Sequence, residues 1–330
     1  MNFTGPKHFD EVSIVKAFEG RDCIPIVREA MIALSAGQTL QLPRAIIGMG
    51  PRRIFAVMPG ALGLRDYFGA KLVSVFPNPS HPERTLHQGL VVLFDAEDGR
   101  PICTADAGAL TQMRTAAATA VATDALSRPD SEVLTLLGCG HQAHAHVEAI
   151  SKLRDLRRII VWGRSVERAR QFAERVSEQL ALNIEVEPSA AAAVAEADIV
   201  CTLTSAAEPI LEGSWLRPGA HVNLVGSSVP SAAEADEAVV VASRYFVESR
   251  ENAGLGASEF LRAKASGAIG DDHIAAEIGE VLAGAKPGRR SNSEITVYKS
   301  LGHVVQDLAV AAAVYEHYRA EPEIGPGAAR

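Results

Sequence analysis

The chain has 330 residues, 47 % hydrophobic and 22 % charged, enough for one large or two ordinary domains with sizeable cores. A formal net charge of −8, with Lys and Arg scattered rather than clustered, argues against nucleic acid as a partner. Cys23, Cys103, Cys139 and Cys201 form no CxxC pair, so reduced buried thiols are expected; with no leader-like start and no run of about 18 apolar residues, the expected location is the cytoplasm, away from membranes.

In chain order, residues 24–34 space apolar side chains at helical intervals, and Ser35-Ala36-Gly37 supplies a stop. Residues 54–58, 70–76 and 89–95 read as strands, with Asp98-Gly99 as a hairpin turn, so the first part of the chain is expected to be an antiparallel α+β domain. An Ala-rich helix over 107–127 leads into Arg128-Pro129-Asp130, where the domain boundary is placed. From Glu132 onward, strand-length apolar runs at 133–137, 159–162, 199–203 and 222–225 alternate with helical stretches that start at Gln142 and Val166. That alternation predicts βαβ units and a doubly wound parallel sheet, an α/β domain over 128–302. A last helix over 302–318 is expected to pack back on the first half, which gives a division of 1–127 plus 303–330 for the other domain. The tail from Gly325 is expected to fray.

Strand 133–137 runs directly into Gly138-Cys139-Gly140-His141-Gln142-Ala143 and then a helix, which is G-x-G-x-x-A in a strand–turn–helix setting. Glycines there permit a tight turn and let backbone N–H groups approach a pyrophosphate at the positive helix end, while Ala143 allows close packing. A bound dinucleotide is therefore expected rather than a purely structural turn. The next strand ends at Val161-Trp162-Gly163-Arg164-Ser165, about 20 residues on, where an NAD enzyme carries an acid for the ribose hydroxyl. Gly163 cannot do that, whereas Arg164, Ser165 and Arg168 suit a 2′-phosphate, so NADP(H) is expected over NAD(H). His141, His144 and His146 have no evident carboxylate partner and are expected to face solvent or cofactor rather than hold a metal. Gly226-Ser227-Ser228-Val229-Pro230 lacks the second glycine of a nucleophile elbow, which disfavours a serine hydrolase.

The glycine loop, Leu110-Thr111-Gln112-Met113-Arg114-Thr115-Ala116-Ala117, Glu208-Pro209-Ile210-Leu211, the run from Pro218 to Gly226 and Lys299-Ser300-Leu301-Gly302 together resemble the ornithine cyclodeaminase and μ-crystallin family over nearly the whole chain. The resemblance implies a Rossmann domain, a nicotinamide held in the cleft between domains, and a homodimer formed through the N-terminal halves, whose domain also binds substrate. It places the substrate-carboxylate cations at Arg44, Lys71 and Arg114. Cofactor contacts fall at Arg114, Thr115, Gly138, Gly140, His141, Gln142, Gly163, Arg164, Ser165, Arg168, Thr202, Thr204, Val225 and Ser300.

Two departures narrow the chemistry. Ser228 stands where cyclodeaminases and related alanine dehydrogenases carry an aspartate for the amine proton, and Ala56 replaces a glutamate of the cyclodeaminases. A serine hydroxyl without a partner is no general base near neutral pH, so oxidising an amine is poorly supported, whereas reducing a preformed imine asks mainly for alignment. Ser228 and the pair His87-Gln88 resemble the μ-crystallin branch, whose members act as NADPH-dependent ketimine reductases. The expected activity is thus reduction of a 2-imino acid, with Lys71, His87 and Ser228 as the groups around the nitrogen. Ornithine cyclodeamination or amino-acid dehydrogenation is the alternative within enzymes, and NADP(H)-dependent ligand binding without catalysis the alternative outside them.

Overall fold

The structure, a computed structural model, describes residues 5–20, 22–51 and 53–320, and the side chains of 81–87 fall outside that description. The tail from Gly325, expected to fray, also lies outside the described residues. Two compact units emerge: Met1–Ala30, Gly37–Arg114 and Val304–Arg330 form one, Met31–Ala36 and Thr115–His303 the other. The division falls inside the long Ala-rich helix, ahead of the Arg128-Pro129 break chosen from sequence.

The first unit opens with strand β1 (Lys7–Phe9) and helix α1 (Glu11–Ala17), whose N-cap Asp10 accepts a hydrogen bond from Ser13 N. After α2 (Ile24–Ser35) come β2 (Leu40–Gln41), β3 (Ala45–Gly48), β4 (Ile54–Ala61), β5 (Phe68–Asn78), β6 (His81–Phe94) and β7 (Pro101–Asp106). The sheet runs β1-β7-β6-β5-β4-β2, with β3 also on β4, and only the β1–β7 pair is parallel. The strands expected over 54–58 and 70–76 lie within β4 and β5, and the one over 89–95 overlaps β6 except for Asp95. Gly99 makes the β6–β7 turn at φ +73°, closed by Asp95 N donating to Arg100 O at 3.0 Å.

Helix α3 (Ala107–Leu126) starts in this unit and ends in the next. Its alanines at 116–118, 120 and 122 are all buried, so it carries no polar face to betray its burial. The second unit continues with β8 (Val133–Leu137), α4 (His141–Ser151), β9 (Arg158–Trp162), α5 (Val166–Leu180), β10 (Ile184–Val186), α6 (Ala190–Ala195), β11 (Ile199–Thr202) and β12 (His221–Leu224). It closes with α7 (Glu237–Val241), β13 (Ser243–Val247), α8 (Arg250–Gly256), α9 (Ser258–Ala265), β14 (Ile274–Glu277), α10 (Ile278–Leu282) and β15 (Ile295–Lys299). These eight strands form one sheet, ordered β10-β9-β8-β11-β12-β15-β13-β14 and parallel throughout. A parallel sheet covered on its faces reads as continuous apolar runs, and β8, β11 and β12 are buried along their whole length. Leu137, Val200, Val222, Leu224, Tyr245, Phe260 and Val297 share its core. This is a Rossmann fold, doubly wound, whose strand order reverses between β8 and β11, the point where such sheets bind ligands beyond their carboxyl ends.

The chain returns to the first unit as α11 (Val304–Ala320). Tyr318 donates from its hydroxyl to Ser13 O at 2.9 Å and stacks on Phe9, which ties the helix end to α1 and β1. Among the described residues, no helix is long and apolar enough to cross a membrane.

Candidate active site

At the end of β8, Gly138 turns the chain at φ +129°, where a side chain is strained, and a Cβ would sit 2.6 Å from Leu203 O. Glycine is thus required by the neighbouring strand end. Gly140 differs, since a Cβ there would meet nothing within 4 Å. It caps the N-terminus of α4, so open space adjoins N–H groups that the helix itself leaves unspent. Ala143, one turn in, is fully buried. Among the buried side-chain atoms of this unit with no hydrogen-bond partner in the chain are Thr115 Oγ1, Gln142 Oε1 and His144 Nε2. Gln142 and His144 belong to the first turn of α4, and Thr115 lies one turn before Thr119, which bonds His146 of the same helix. Unspent N–H groups beside open backbone at a helix N-terminus fit a dinucleotide pyrophosphate.

After β9, Gly163 is closed in by Cys139, whose Sγ would lie 2.9 Å from a Cβ at that position. A side chain at position 163, acidic or otherwise, would therefore collide with the Cys139 thiol. Beyond it, Ser165 caps α5 by accepting from Arg168 N, while Arg164 and Arg168 are exposed and, among the described residues, have no ion-pair partner.

Three hydroxyl residues that the resemblance places at the cofactor, Thr202, Thr204 and Ser300, bond buried carboxylates. Thr202 Oγ1 donates to Glu234 Oε2 at 2.7 Å, and Thr204 gives both its N–H and its hydroxyl to Glu234 Oε1 at 2.7 Å. Gly226 N also donates to Glu234 Oε2, at 2.7 Å, and Val225 N bonds Thr202 O at 3.2 Å. Glu234, fully buried, thereby pins together the loops after β11 and β12. Burial raises its pKa, and the bonds from Thr202 and Thr204 oppose that. Glu248 plays the same part after β13 and β15, accepting from Tyr298 OH, Ser300 Oγ, Leu301 N and Gly302 N at 2.8–3.2 Å. These carboxylates shape the sheet's carboxyl edge. Both acids escape sequence reading, because nothing in their neighbourhoods separates them from surface glutamates.

The histidines divide. His141, at the start of α4, is exposed, but His146 is buried, with Nδ1 2.7 Å from Gln142 O and Nε2 3.0 Å from Thr119 Oγ1. Its pKa is pushed down to about 4 by burial, so it is a neutral packing residue, contrary to the expectation that it faces solvent or cofactor. Among the described residues no group of three His, Cys, Asp or Glu could hold a metal ion.

In the first unit the structure assembles the three cations. Lys71 on β5 and Arg114 on α3 are both buried, and they meet a carboxylate that the sequence reading missed, Asp307 of α11. Lys71 Nζ lies 2.8 Å and Arg114 Nε 3.2 Å from Asp307 Oδ1, while Arg114 Nη1 donates to Gln306 Oε1 at 3.0 Å. Lys71 also donates to Thr111 Oγ1. Burial brings the Lys71 pKa down to about 8; Asp307 works against that, and the charges of Arg114 and half-buried Arg44 add to it, which sets all three cations in one electrostatic neighbourhood. Burial alone would raise the Asp307 pKa, yet Arg114 and Lys71 hold it below the usual carboxylate range. Lys71 retains one N–H and Arg114 three beyond those spent on Asp307, Thr111 and Gln306, a donor set suited to an anion.

Ser228 lies in the second unit, on the loop after β12, half-buried. Its neighbour Ser227 is the one that fixes the loop, donating to Ala232 O. His87 sits opposite Val75 on β6, and its side chain is outside the described residues.

Residues 8–321 match the model of the Ornithine cyclodeaminase/mu-crystallin family. The chain is 36 % identical to the ketimine reductase mu-crystallin of Mus musculus over 299 residues, 89 % of this chain and 91 % of the mouse protein. The solved structure of Thermococcus litoralis Δ1-pyrroline-2-carboxylate reductase in complex with NADH and L-proline superposes with a TM-score of 0.90 at 30 % identity, covering 95 % of this chain and 97 % of that one. An archaeal alanine dehydrogenase dimer with bound NAD follows the same fold at a TM-score of 0.87 and 28 % identity, covering 95 % and 96 %. With the G-x-G-x-x-A turn at the switch point and Lys71, Arg114 and Asp307 gathered in the other unit, the chain belongs to the ornithine cyclodeaminase/mu-crystallin family.

Proposed function

We propose that this oxidoreductase reduces the C=N bond of a 2-imino acid, cyclic or open-chain, using NADPH in preference to NADH. The observation that carries the reading is the buried group of Lys71 and Arg114, with Arg44 charging the same neighbourhood, in a chain that lacks an acid at position 228. Arg44, Lys71 and Arg114 bind the substrate carboxylate, and the planar guanidinium of Arg114 sets its orientation. NADPH, when bound, supplies the hydride that reduces the imine carbon. Lys71 or His87, with Ser228 as a hydrogen-bonding group, keeps the nitrogen protonated, so that one hydride and one proton convert imine to amine.

Cofactor preference follows from the end of β9. Gly163 leaves no acid to meet a ribose 2′-hydroxyl, and Arg164 and Arg168 offer two exposed cations to a 2′-phosphate. The pyrophosphate goes to the turn at Gly138, Gly140, His141 and Gln142, near Thr115. A homodimer completes the reading, supported by strand β3, which is exposed throughout and continues an apolar surface through Leu42, Ile46, Ile47 and Met49.

Steady-state oxidation of NADPH and NADH with Δ1-pyrroline-2-carboxylate and Δ1-piperideine-2-carboxylate tests this, run beside ornithine plus NAD with ammonia detection. Imine turnover that is faster with NADPH supports the reading. Ammonia release without imine turnover would move the chain to cyclodeamination and require a proton acceptor other than Ser228.

A further inference from the structure

Burying two cations as deeply as Lys71 and Arg114, each under 8 % exposed at the side chain, is unfavourable unless a counter-ion accompanies them. Asp307 is that counter-ion, with a side-chain exposure of 0 %. One of its oxygens, Oδ1, accepts from both cations, while Oδ2 is buried without a hydrogen-bond partner in the chain. An arrangement built only for stability would engage both oxygens, since a half-satisfied buried carboxylate is costly. Instead Lys71 Nζ hangs between Asp307 and Thr111, which fixes the ammonium on its inner side and leaves a single N–H to point elsewhere.

We propose that Asp307 is a positioning residue of the reductase: it holds Lys71 and Arg114 in one fixed geometry and keeps Lys71 charged for the substrate. This rests on the reading above that Lys71 and Arg114 meet the substrate carboxylate. The charged groups around Lys71 are Asp307 from α11, Arg114 from α3 and Arg44 from the segment before β3. Burial and the two guanidinium groups all disfavour the ammonium form, and Asp307 is the one charge among them that favours it. A neutral residue at 307 therefore leaves burial and both remaining charges pushing Lys71 toward the uncharged amine.

The test is the pH profile of kcat/KM for NADPH-dependent imine reduction by wild type, Asp307→Asn and Asp307→Glu. Because the substrate's own ionisation is common to all three enzymes, only the differences between profiles are read. Asp307→Asn is expected to move the alkaline limb to lower pH by about 1 unit or more, the effect of removing an opposite charge at contact distance. Asp307→Glu keeps the charge and is expected to leave the limb in place while kcat/KM falls. An Asn variant that loses activity with its limb unmoved overturns the proposal, as does a limb displaced in the Glu variant. Should Asp307→Asn fail to fold, as judged by circular dichroism and NADPH binding, Asp307→Ser, which also removes the charge, is read in its place with the same two outcomes.

A second readout separates this inference from the assignment of the reaction. The Lys71 side-chain carbon signal, titrated by NMR in wild type and Asp307→Asn and assigned with Lys71→Met, needs no substrate. A lower midpoint in the Asn variant upholds the charge relation even if the wild type reduces no imine, and an equal midpoint overturns it even if the wild type does.

Discussion

Replacing Glu234 by Gln keeps the shape of a buried side chain and removes only its charge and one acceptor. Four donors converge on the carboxylate at 2.7 Å: Thr202 Oγ1, Thr204 N, Thr204 Oγ1 and Gly226 N. Hydroxyls can rotate to accept, but the backbone N–H groups of Thr204 and Gly226 cannot, and they approach different oxygens. Whichever way the amide is turned, its NH₂ therefore faces a buried backbone N–H. Leaving such a donor unsatisfied costs about 1–3 kcal/mol. Taking roughly 2 kcal/mol, and about 2–4 °C per kcal/mol for a unit of this size, the expected fall in Tm is roughly 4–8 °C. Gly226 packs closely against this group, since a Cβ there would lie 2.4 Å from Glu234 Oε1 and 2.2 Å from Thr204 O. Since the two loops held by Glu234 form the carboxyl edge between β11 and β12, the variant is also expected to bind NADPH about tenfold more weakly, the equivalent of 1.4 kcal/mol. Differential scanning fluorimetry and titration of NADPH fluorescence read the two effects. An unchanged Tm together with an unchanged Kd would refute the clamp and imply that the acid is already protonated in the folded protein.

Three further outcomes follow from the same structure. Arg164→Ala combined with Arg168→Ala is expected to raise the KM for NADPH at least tenfold while leaving that for NADH within about twofold, the loss of charge-assisted contacts worth about 1.5–3 kcal/mol each; equal effects on both cofactors contradict the 2′-phosphate assignment. Gly138→Ala should impair folding as well as cofactor binding, because the Cβ collides with Leu203 backbone and the φ of +129° is strained for alanine; a variant with wild-type Tm and Kd contradicts this. His146 is neutral in the folded protein, with its pKa pushed down to about 4, so the unfolded state binds the extra proton below pH 6.5. Its contribution to stability is complete above pH 6.5 and is lost as pH falls toward 4, amounting to about 2 kcal/mol between pH 7 and 5. Urea unfolding at those two pH values should show His146→Gln less acid-sensitive than wild type by that amount, and parallel losses would exclude His146 as the cause.

How much of this was legible from sequence depends on how locally each feature is encoded. The turn at Gly138 is a contiguous motif between an apolar strand and a helix, and it lies where expected. Strands β4 to β6, β8, β9, β11 and β12 are apolar runs long enough to read. By contrast β15 is hidden because most of its buried positions are polar: Thr296 bonds His221 and Leu126 O, Tyr298 bonds Glu248, and Lys299 pairs with Glu259 at 2.9 Å. Such a strand looks like a surface segment until its partners are brought from 40 or more residues away. The same holds for the site. Arg44, Lys71 and Arg114 come from three separate elements and were found only through family resemblance. Asp307 sits in an alanine-rich helix, where Gln306-Asp307 reads as a solvated turn, yet both residues are fully buried. Thr202, Thr204 and Ser300 likewise entered through the resemblance, and the orientation of their hydroxyls toward Glu234 and Glu248 depends on segments distant in sequence.

The central claim, reduction of an imine recognised by its carboxylate, is tested most directly by comparing Δ1-pyrroline-2-carboxylate with Δ1-pyrroline, which lacks the carboxylate, in wild type and Arg114→Ala. Charge-assisted bonds from Arg114 and Lys71 predict that wild type favours the carboxylate by at least about 10²-fold in kcat/KM with NADPH, and that Arg114→Ala loses most of that preference. Equal turnover of the two imines by wild type, or a preference untouched by the substitution, would contradict the account.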